Sequence, residues 1–211
     1  FTDGGQRGSV AGYGWKICAG PFNEHQPRRI SDTDGTELGR GGGFLDDPMA
    51  TNNVAEAAGL LAGLERCLRE GFVRVHHLTD STLIAGIASG KTSTHQYSLS
   101  RFAQSMVRMR AVLAERGGVI MHQHVLRHHN GAADSEATRS MATRAPTAPT
   151  HIASLTMPSA AEMALWVPRS PAPAGSVSAE APPPAPPQPP TPVVQPEVME
   201  APNPTRQAIL T

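Results

Sequence analysis

The alternation of helical and extended hydrophobic patterns is the feature that most constrains the fold of this chain. After residue 51, leucines and alanines recur every three or four residues, which predicts a helix with one apolar face that Gly71 ends. Residues 72–79 form a short apolar run typical of a buried strand, and residues 81–88 predict a second helix. A strand followed by a helix suggests a βαβ unit, so we expect an α/β protein.

Further elements are expected on both sides of this unit. The first residues, up to Asp3, are interpreted as the end of a strand, and residues 10–19 mix β-forming residues with glycines, so a hairpin is expected. Residues 20–50, including the glycine run at 39–43, are interpreted as mostly loop. The remaining predictions are a helix over 99–116, a strand over 119–125 and a helix over 132–142.

The last third of the chain has a different composition. Nearly all of the 20 prolines lie from Pro146 onward, among few large apolar residues and almost no aromatic ones. Such a segment cannot offset its ordering entropy by burial. We therefore predict a compact domain over residues 1–145 and a disordered Pro/Ala/Ser-rich tail over residues 146–211. The proline run at 182–192 favours polyproline II, which either binds a Pro-recognising groove or serves as a spacer.

Charge and cysteine content narrow the function classes. Residues 1–145 carry 16 Lys and Arg against 14 Asp and Glu, a net charge of +2, so nucleic-acid binding would depend on a local patch or on bound cations. Two cysteines support neither a disulfide framework nor a cysteine zinc site. No apolar run reaches the ~18 residues of a membrane span and no signal peptide opens the chain. We expect a soluble intracellular protein, nuclear or cytoplasmic, with no membrane partner.

Four carboxylates stand where this element order would let them converge. They are Asp3 on the first strand, Glu56 in the first turn of the first helix, Asp80 at the carboxyl end of a strand and Asp134 at the start of the last helix. Sites gather near the carboxyl ends of strands in α/β sheets, and clustered acids need a compensating cation. Because hard oxygen ligands suit Mg²⁺ or Mn²⁺, the sequence predicts a divalent metal site.

Each carboxylate also has a purely structural interpretation. Glu56 could complete a capping-box-like start after Asn53, and Asp80 could cap the helix that follows it. Asp134 could complement the positive end of its helix, and Asp3 could lie in an Asp-Gly turn. Taken singly, these interpretations are favoured; taken together, in this order and with their flanking residues, the four favour a site. A metal site at His122 and His124 is disfavoured, because no third ligand has a suitable spacing.

The flanking residues form four motifs, which read FTDGG at 1–5, TNNVAE at 51–56, TDS at 79–81 and HVLRHHNGAAD at 124–134. In this order they resemble the motifs of the ribonuclease H type 1 family, in its plant and retroelement, reverse-transcriptase-associated branch. The resemblance implies a ribonuclease H-like fold, a mixed five-stranded sheet flanked by helices. The chain departs from the family at Leu126, where a proline is usual, in its last helix and in a long glycine-rich insertion.

The resemblance also implies an activity, the endonucleolytic hydrolysis of the RNA strand of RNA–DNA hybrids to 5′-phosphomonoesters. Two Mg²⁺ ions, which Mn²⁺ could replace, would activate the attacking water and stabilise the leaving oxygen. By resemblance, Asp3 would bridge both ions, Glu56 and Asp80 would support one, and Asp134 would support the other. His128 lies where many family members carry a proton-shuttling histidine.

The same resemblance points to residues that contact nucleic acid. Asn52 and Asn53 would lie at the mouth of the site and contact the minor groove, where the 2′-OH distinguishes RNA from DNA. Helix capping by Asn53 is the structural alternative. Gly4 and Gly5 could let the backbone approach RNA, although a glycine in a turn needs no ligand.

The leading hypothesis is a metal-dependent endoribonuclease from a retroelement-like polyprotein, with a reverse transcriptase domain as a possible partner. A strand already under way at Phe1 and the proline-rich tail motivate the interpretation as a piece of something longer. The first alternative is a catalytically weak or inactive nucleic-acid-binding module with the same fold. A DNA-directed nuclease is the second, and the Thr-Asn-Asn motif disfavours it.

Overall fold

The computed structural model describes residues 1–20, 30–159 and 162–163, and within them the chain is a mixed α/β protein, as predicted. Its elements are β1 (Thr2–Arg7), β2 (Val10–Ala19), β3 (Thr36–Leu45), α1 (Asn52–Arg69), β4 (Arg74–Thr79), α2 (Thr82–Ser89), α3 (Tyr97–Glu115), β5 (Val119–His124), α4 (Gly131–Thr143) and α5 (Thr150–Ala153). A short 3-10 helix over Arg127–His129 precedes α4. None of the described helices is long and apolar enough to cross a membrane.

The five strands are divided between two hydrogen-bonded sheets. β1, β2 and β3 form an antiparallel sheet in that order, and β4 pairs with β5 in parallel. The Thr2 hydroxyl of β1 lies 2.7 Å from Nε2 of His77 on β4, so the two sheets lie side by side. The expected five strands are present, although backbone pairing in the described residues does not join them into one sheet.

The glycine run at 39–43 lies in β3, so its interpretation as a loop is wrong. α4 packs directly on the three-stranded sheet. A Cβ added at Gly42 would overlap the carbonyl oxygen of Tyr13 and lie 2.6 Å from the hydroxyl of Ser140 on α4. One added at Gly14 of β2 would overlap the backbone of α4. These glycines let the helix approach the sheet, and they leave the strand without the alternating apolar pattern that reveals a strand in a sequence.

The predicted apolar face of α1 forms the centre of the core. Leu60, Leu61 and Leu64 are buried in the same hydrophobic cluster as Phe102 and Met106 of α3, a helix that α1 contacts. The helix begins with Thr51, whose hydroxyl accepts a hydrogen bond from Val54 N at 3.3 Å. The alternative that Asn53 caps this helix is therefore wrong. Gly71, with a φ of +82°, follows the end of the helix, as expected from its place in the sequence.

The ordered part of the chain continues past residue 145. Phe44 of β3 donates its N–H to Pro146 O and accepts from Ala148 N, each at 2.8 Å. The Ser105 hydroxyl of α3 then donates to Leu155 O at 2.9 Å. Five apolar residues of this segment are buried in the core: Ala148, Ile152, Leu155, Met157 and Met163. Residues 146–159 therefore pack on the domain, and the boundary predicted at residue 145 places them wrongly in the tail. Residues 164–211 lie outside the described residues, and the disordered tail there stays a prediction.

Candidate active site

A polar cleft of about 220 Å³ collects most of the predicted site residues. Its lining includes the four predicted carboxylates, which are Asp3, Glu56, Asp80 and Asp134. Gly4, Gly5 and Asn52 line the same cleft. Asn53 and His128, which the resemblance also implicates, are not part of this lining. The order of elements along the chain therefore does bring the carboxylates together, as the sequence predicted.

Asp3 lies within β1 and is only 4% exposed, so the alternative of an Asp-Gly turn is wrong. Its Oδ1 accepts a hydrogen bond from Gly4 N at 2.8 Å. Burial, and next the charge of Asp80, raises the pKa of Asp3 to about 8, and Asp134 contributes in the same direction. An acid with so high a pKa carries its charge at neutral pH only when a cation offsets the neighbouring carboxylates.

Glu56 reaches the cleft from the second turn of α1, one turn later than the sequence predicted. Asn52, one turn earlier, donates from Nδ2 to Glu56 Oε1 at 2.8 Å. The other oxygen, Oε2, is buried and has no hydrogen-bond partner in the described structure. Burial raises the pKa of Glu56, although the Ser81 hydroxyl counteracts it. A buried acceptor without a partner costs about 1–3 kcal/mol, and a bound cation would remove that cost.

Asp80 directly follows β4, and its partner is a residue that the sequence reasoning did not single out. Asn130 is fully buried, and its Nδ2 donates to Asp80 Oδ1 at 3.0 Å and to the carbonyl oxygen of Thr2 at 2.9 Å. Asn130 thereby ties the end of β4 to β1. The alternative that Asp80 caps α2 is wrong, because the Ser81 hydroxyl accepts from Ile84 N and provides that cap.

Asp134 lies in the first turn of α4 and pairs with Arg127, a second residue that the sequence reasoning missed. Arg127 Nη2 donates to Asp134 Oδ1 at 2.9 Å, and the side chains are 76% and 41% exposed. Hydrogen bonding and charge from Asp134 raise the pKa of Arg127. Pairs this exposed are worth at most about 1 kcal/mol, so a stronger ligand could replace the arginine. Its only signal in the sequence was its place in the same motif as Asp134.

Gly4 has a packing reason to be a glycine. A Cβ added there would overlap the backbone nitrogen of Glu56. The missing side chain lets α1 lie directly on β1, which brings Glu56 to the cleft that Asp3 also lines. A Cβ at Gly5 would lie 2.8 Å from the terminal methyl of Met141 on α4. These contacts exist whether or not nucleic acid approaches the same backbone.

His128 lies on the exposed 3-10 helix, with its ring centroid 4.1 Å from that of His129. It reaches no partner in the cleft that the structure records, and its role as a proton shuttle stays a prediction. Asn53 is half-buried in the first turn of α1, one residue after Asn52. The contact of these two asparagines with a minor groove likewise stays a prediction.

The described residues contain no ready-made group of three or more His, Cys, Asp or Glu side chains that could hold a metal ion. Three of the four carboxylates instead accept hydrogen bonds from protein side chains, namely those of Asn52, Asn130 and Arg127. The donor set still fits a hard divalent cation, since it consists of carboxylate oxygens, one of them buried without a partner. Binding would need these side chains to turn toward a shared ion.

Comparisons with known proteins agree on one family. A family model described as reverse transcriptase-like matches residues 30–140. Ribonuclease H1 from the halophilic archaeon Halobacterium salinarum is 29% identical, with a TM-score of 0.53 over 67% of this chain and 95% of that one. The N-terminal ribonuclease H domain of a Mycobacterium tuberculosis protein, fused to maltose-binding protein, is 30% identical, with a TM-score of 0.54 over 68% of this chain and 92% of that one.

A third similar structure is LC11 ribonuclease H1 in complex with an RNA/DNA hybrid. It is 24% identical, with a TM-score of 0.50 over 67% of this chain and 94% of that one, and this likeness extends to the fold alone. Among curated proteins, no sequence matches the chain.

Proposed function

The chain belongs to the ribonuclease H type 1 family, and from this premise we propose that it is a metal-dependent endonuclease that hydrolyses the RNA strand of RNA–DNA hybrids. The observation that carries the proposal is the convergence of four carboxylates in one polar cleft. Burial and neighbouring charge raise the pKa of Asp3 there to about 8. Such repulsion is costly in a folded protein unless the cleft binds cations.

The residues that would hold divalent ions are Asp3, Glu56, Asp80 and Asp134. Bound Mg²⁺ or Mn²⁺ would supply an activated water and stabilise the leaving oxygen of the phosphodiester. The protein's own side chains prepare the cleft for this chemistry. Asn130 and Asn52 donate hydrogen bonds that hold the carboxylates of Asp80 and Glu56 in the cleft. Arg127 partly neutralises Asp134, and a bound cation would displace this arginine. Cleavage in this mode leaves 5′-phosphomonoesters.

The proposed substrate contacts lie around the mouth of the cleft. Asn52 is exposed there, Asn53 follows it, and the backbone at Gly4 and Gly5 lines the same opening. We assign to them the contacts with the minor groove of the hybrid. His128, on the exposed turn ahead of α4, would carry the proton to or from the departing product.

Cleavage of a hybrid with one labelled strand by the full chain, with Mg²⁺ or Mn²⁺, tests the proposal. Metal-dependent cutting of the RNA strand only, lost in Asp80→Asn, is expected. Asp46→Asn is the matched control, because this exposed aspartate lies outside the cleft and should leave the rate unchanged. No cutting by folded wild-type protein would contradict the proposal. Cutting of duplex DNA at a comparable rate would replace it with a DNA-directed nuclease.

A second candidate is a nucleic-acid-binding module with weak or no catalysis. The pairing of Asp134 with Arg127 favours it, since that carboxylate is already partly neutralised. Tight binding of the hybrid without cleavage in either metal would support this candidate. Origin in a retroelement polyprotein, with a reverse transcriptase domain as partner, is supported by the reverse transcriptase-like family model. A coding sequence with no reverse transcriptase nearby would oppose that origin.

A further inference from the structure

The start of α4 lacks a cap from its own preceding residue. α4 carries Asp134 in its first turn, and Asn130 stands at the position where a side chain would normally accept from the first backbone N–H groups. Asn130 makes no such bond. Its Nδ2 donates to Thr2 O and Asp80 Oδ1, and its Oδ1 is buried and has no hydrogen-bond partner among the described residues. The first backbone N–H groups of α4 are therefore open to water or to an acceptor from elsewhere in the chain.

Asp32, which lies a hundred residues away in sequence, supplies that acceptor. Its Oδ2 accepts a hydrogen bond from Ala132 N in the first turn of α4. Its own backbone N–H donates to His129 O at 2.9 Å, so it also contacts the 3-10 helix before α4. Asp32 is only 5% exposed, and a carboxylate at this end of a helix is favoured by the helix dipole.

Lys16 holds Asp32 in place from the other side. Its Nζ on β2 donates to the carbonyl oxygen of Asp32 at 2.6 Å and lies 3.4 Å from Glu37 of β3. A continuous set of contacts thus runs from the three-stranded sheet through Asp32 to the turn and helix that carry Asp134. Asp32 itself is not among the residues that line the cleft, and it has no contact with the reacting groups.

We infer that Asp32 is a positioning residue of the cleft, which caps α4 in place of Asn130 and fixes the turn and the helix that carry Asp134. The inference rests on the proposed function for its effect on catalysis. It predicts that the loss of the acceptor displaces Asp134 relative to Asp3 and Asp80. A displacement of about 1 Å at a reacting site can reduce a rate by about a hundredfold.

The test compares Asp32→Ala with Asp32→Asn in the full chain, because asparagine keeps an acceptor oxygen and caps helices about as well as aspartate. Asp32→Ala should lower kcat for the hybrid by about 10-fold to 100-fold and leave KM within about 2-fold. Asp32→Asn should restore kcat to within about 3-fold of wild type. Asp34→Ala is the matched control, since this nearby aspartate is exposed and accepts from Ser31 N within its own loop.

Mn²⁺ binding, measured by calorimetry, separates this inference from the proposed function. Asp32→Ala should weaken Mn²⁺ binding by about 10-fold, with rescue by Asp32→Asn, even if the wild-type protein does not cut the hybrid. An inactive wild type would count against the proposed function alone. If Asp32→Ala does not fold, Asp32→Glu keeps the charge and shifts the acceptor by one methylene, with the same expected direction. Wild-type kcat and Mn²⁺ affinity in a folded Ala or Glu variant would overturn the inference.

Discussion

Two clusters of titratable groups start from neighbouring residues of β1 and behave in opposite ways. Successive residues of a strand face opposite sides of the sheet. Asp3 contributes to the acidic cleft, while the Thr2 hydroxyl lies 2.7 Å from Nε2 of His77. His77 Nδ1 in turn lies 3.1 Å from Nδ1 of His122 on β5. We call these two rings the histidine pair.

Burial shifts pKa values in both clusters, but only the carboxylates of the cleft require protons or a cation to offset their mutual repulsion. In the cleft, burial raises the pKa of Asp3 to about 8. Each cluster also holds a buried atom without a hydrogen-bond partner among the described residues, Glu56 Oε2 in the cleft and His122 Nε2 in the histidine pair. In the histidine pair, burial lowers the pKa of His77 well below its usual range and that of His122 to about 3. A buried imidazole can stay neutral and still hydrogen-bond, whereas clustered carboxylates must either bind protons or bind a cation. The two clusters therefore differ in their response to burial, because the carboxylates need protons or a cation whereas the histidines are neutral without either.

The largest expected effect is at Asp3. Asp3→Asn keeps the acceptor for Gly4 N but cannot carry a charge. Cleavage of the hybrid should fall by at least about a thousandfold, because a carboxylate that would hold the proposed metal ions is removed. The metal-free variant should gain about 1–3 kcal/mol of stability, because the buried acid beside Asp80 is removed. Single-turnover cleavage and urea unfolding measure the two effects, and a joint loss of activity and stability would mean that the carboxylate is structural.

Above pH 6.5, the dependence of the free energy of unfolding on pH should report Asp3 of the cleft and not the histidine pair. Between pH 6.5 and 8, an unfolded Asp3 is ionised while the folded group, with a pKa of about 8, still binds a proton. Metal-free stability should therefore fall as pH rises, by up to about 1.4 kcal/mol per unit, and Asp3→Asn should lack this slope. Saturating Mg²⁺ should reduce the slope. The free energy of unfolding, measured in urea with EDTA at pH 6.5 and at pH 8, tests this slope. Equal values for the wild-type protein at the two pH values would contradict the raised pKa of Asp3.

Below pH 6.5 the histidine pair should dominate the pH dependence. The unfolded chain gains protons on these histidines, whereas the folded rings, with lowered pKa values, remain neutral, so stability is lost as pH falls. His122→Gln should reduce this loss by about 1.4 kcal/mol per pH unit. His95→Gln, at an exposed histidine, is the control and should leave the profile unchanged. Thermal unfolding between pH 4.5 and 6.5 measures this loss of stability in the wild type, His122→Gln and His95→Gln. Equal profiles for these three proteins would exclude the histidine pair as the cause of the loss.

The smallest expected effect is at the surface pair beside the cleft. Because Arg127 and Asp134 are 76% and 41% exposed, Arg127→Ala should change the free energy of unfolding by less than about 1 kcal/mol. Arg108→Ala on the exposed side of α3 provides the baseline for a lost surface arginine. A loss above about 2 kcal/mol relative to that baseline would show that the pair holds the cleft together.

Local pattern predicted most of the elements. The bounds of β4, α2, α3, β5 and α4 lie within two residues of the predicted ones. Asp80 and Asp134 stand beside or in two of these elements, and Asp3 and Glu56 stand in β1 and α1. Their order in the sequence, together with the flanking motifs, was enough to predict that they converge. The wrong predictions for the glycine run and the domain boundary concern residues whose structure depends on contacts with distant parts of the sequence. Gly42 lies in a strand on which α4 packs too closely for a side chain, and Ile152 and Leu155 belong to the core although prolines surround them.

The sequence by itself determined the α/β class, the family and the set of carboxylates, because side-chain periodicity and short motifs are local properties. Only the tertiary structure decided that residues 39–43 form a strand, that residues 146–159 pack on the domain, and that Arg127 pairs with Asp134. It also decided that Asp32, rather than Asn130, caps α4. Contacts between residues far apart in sequence leave no local pattern, so they become visible only when the chain is folded.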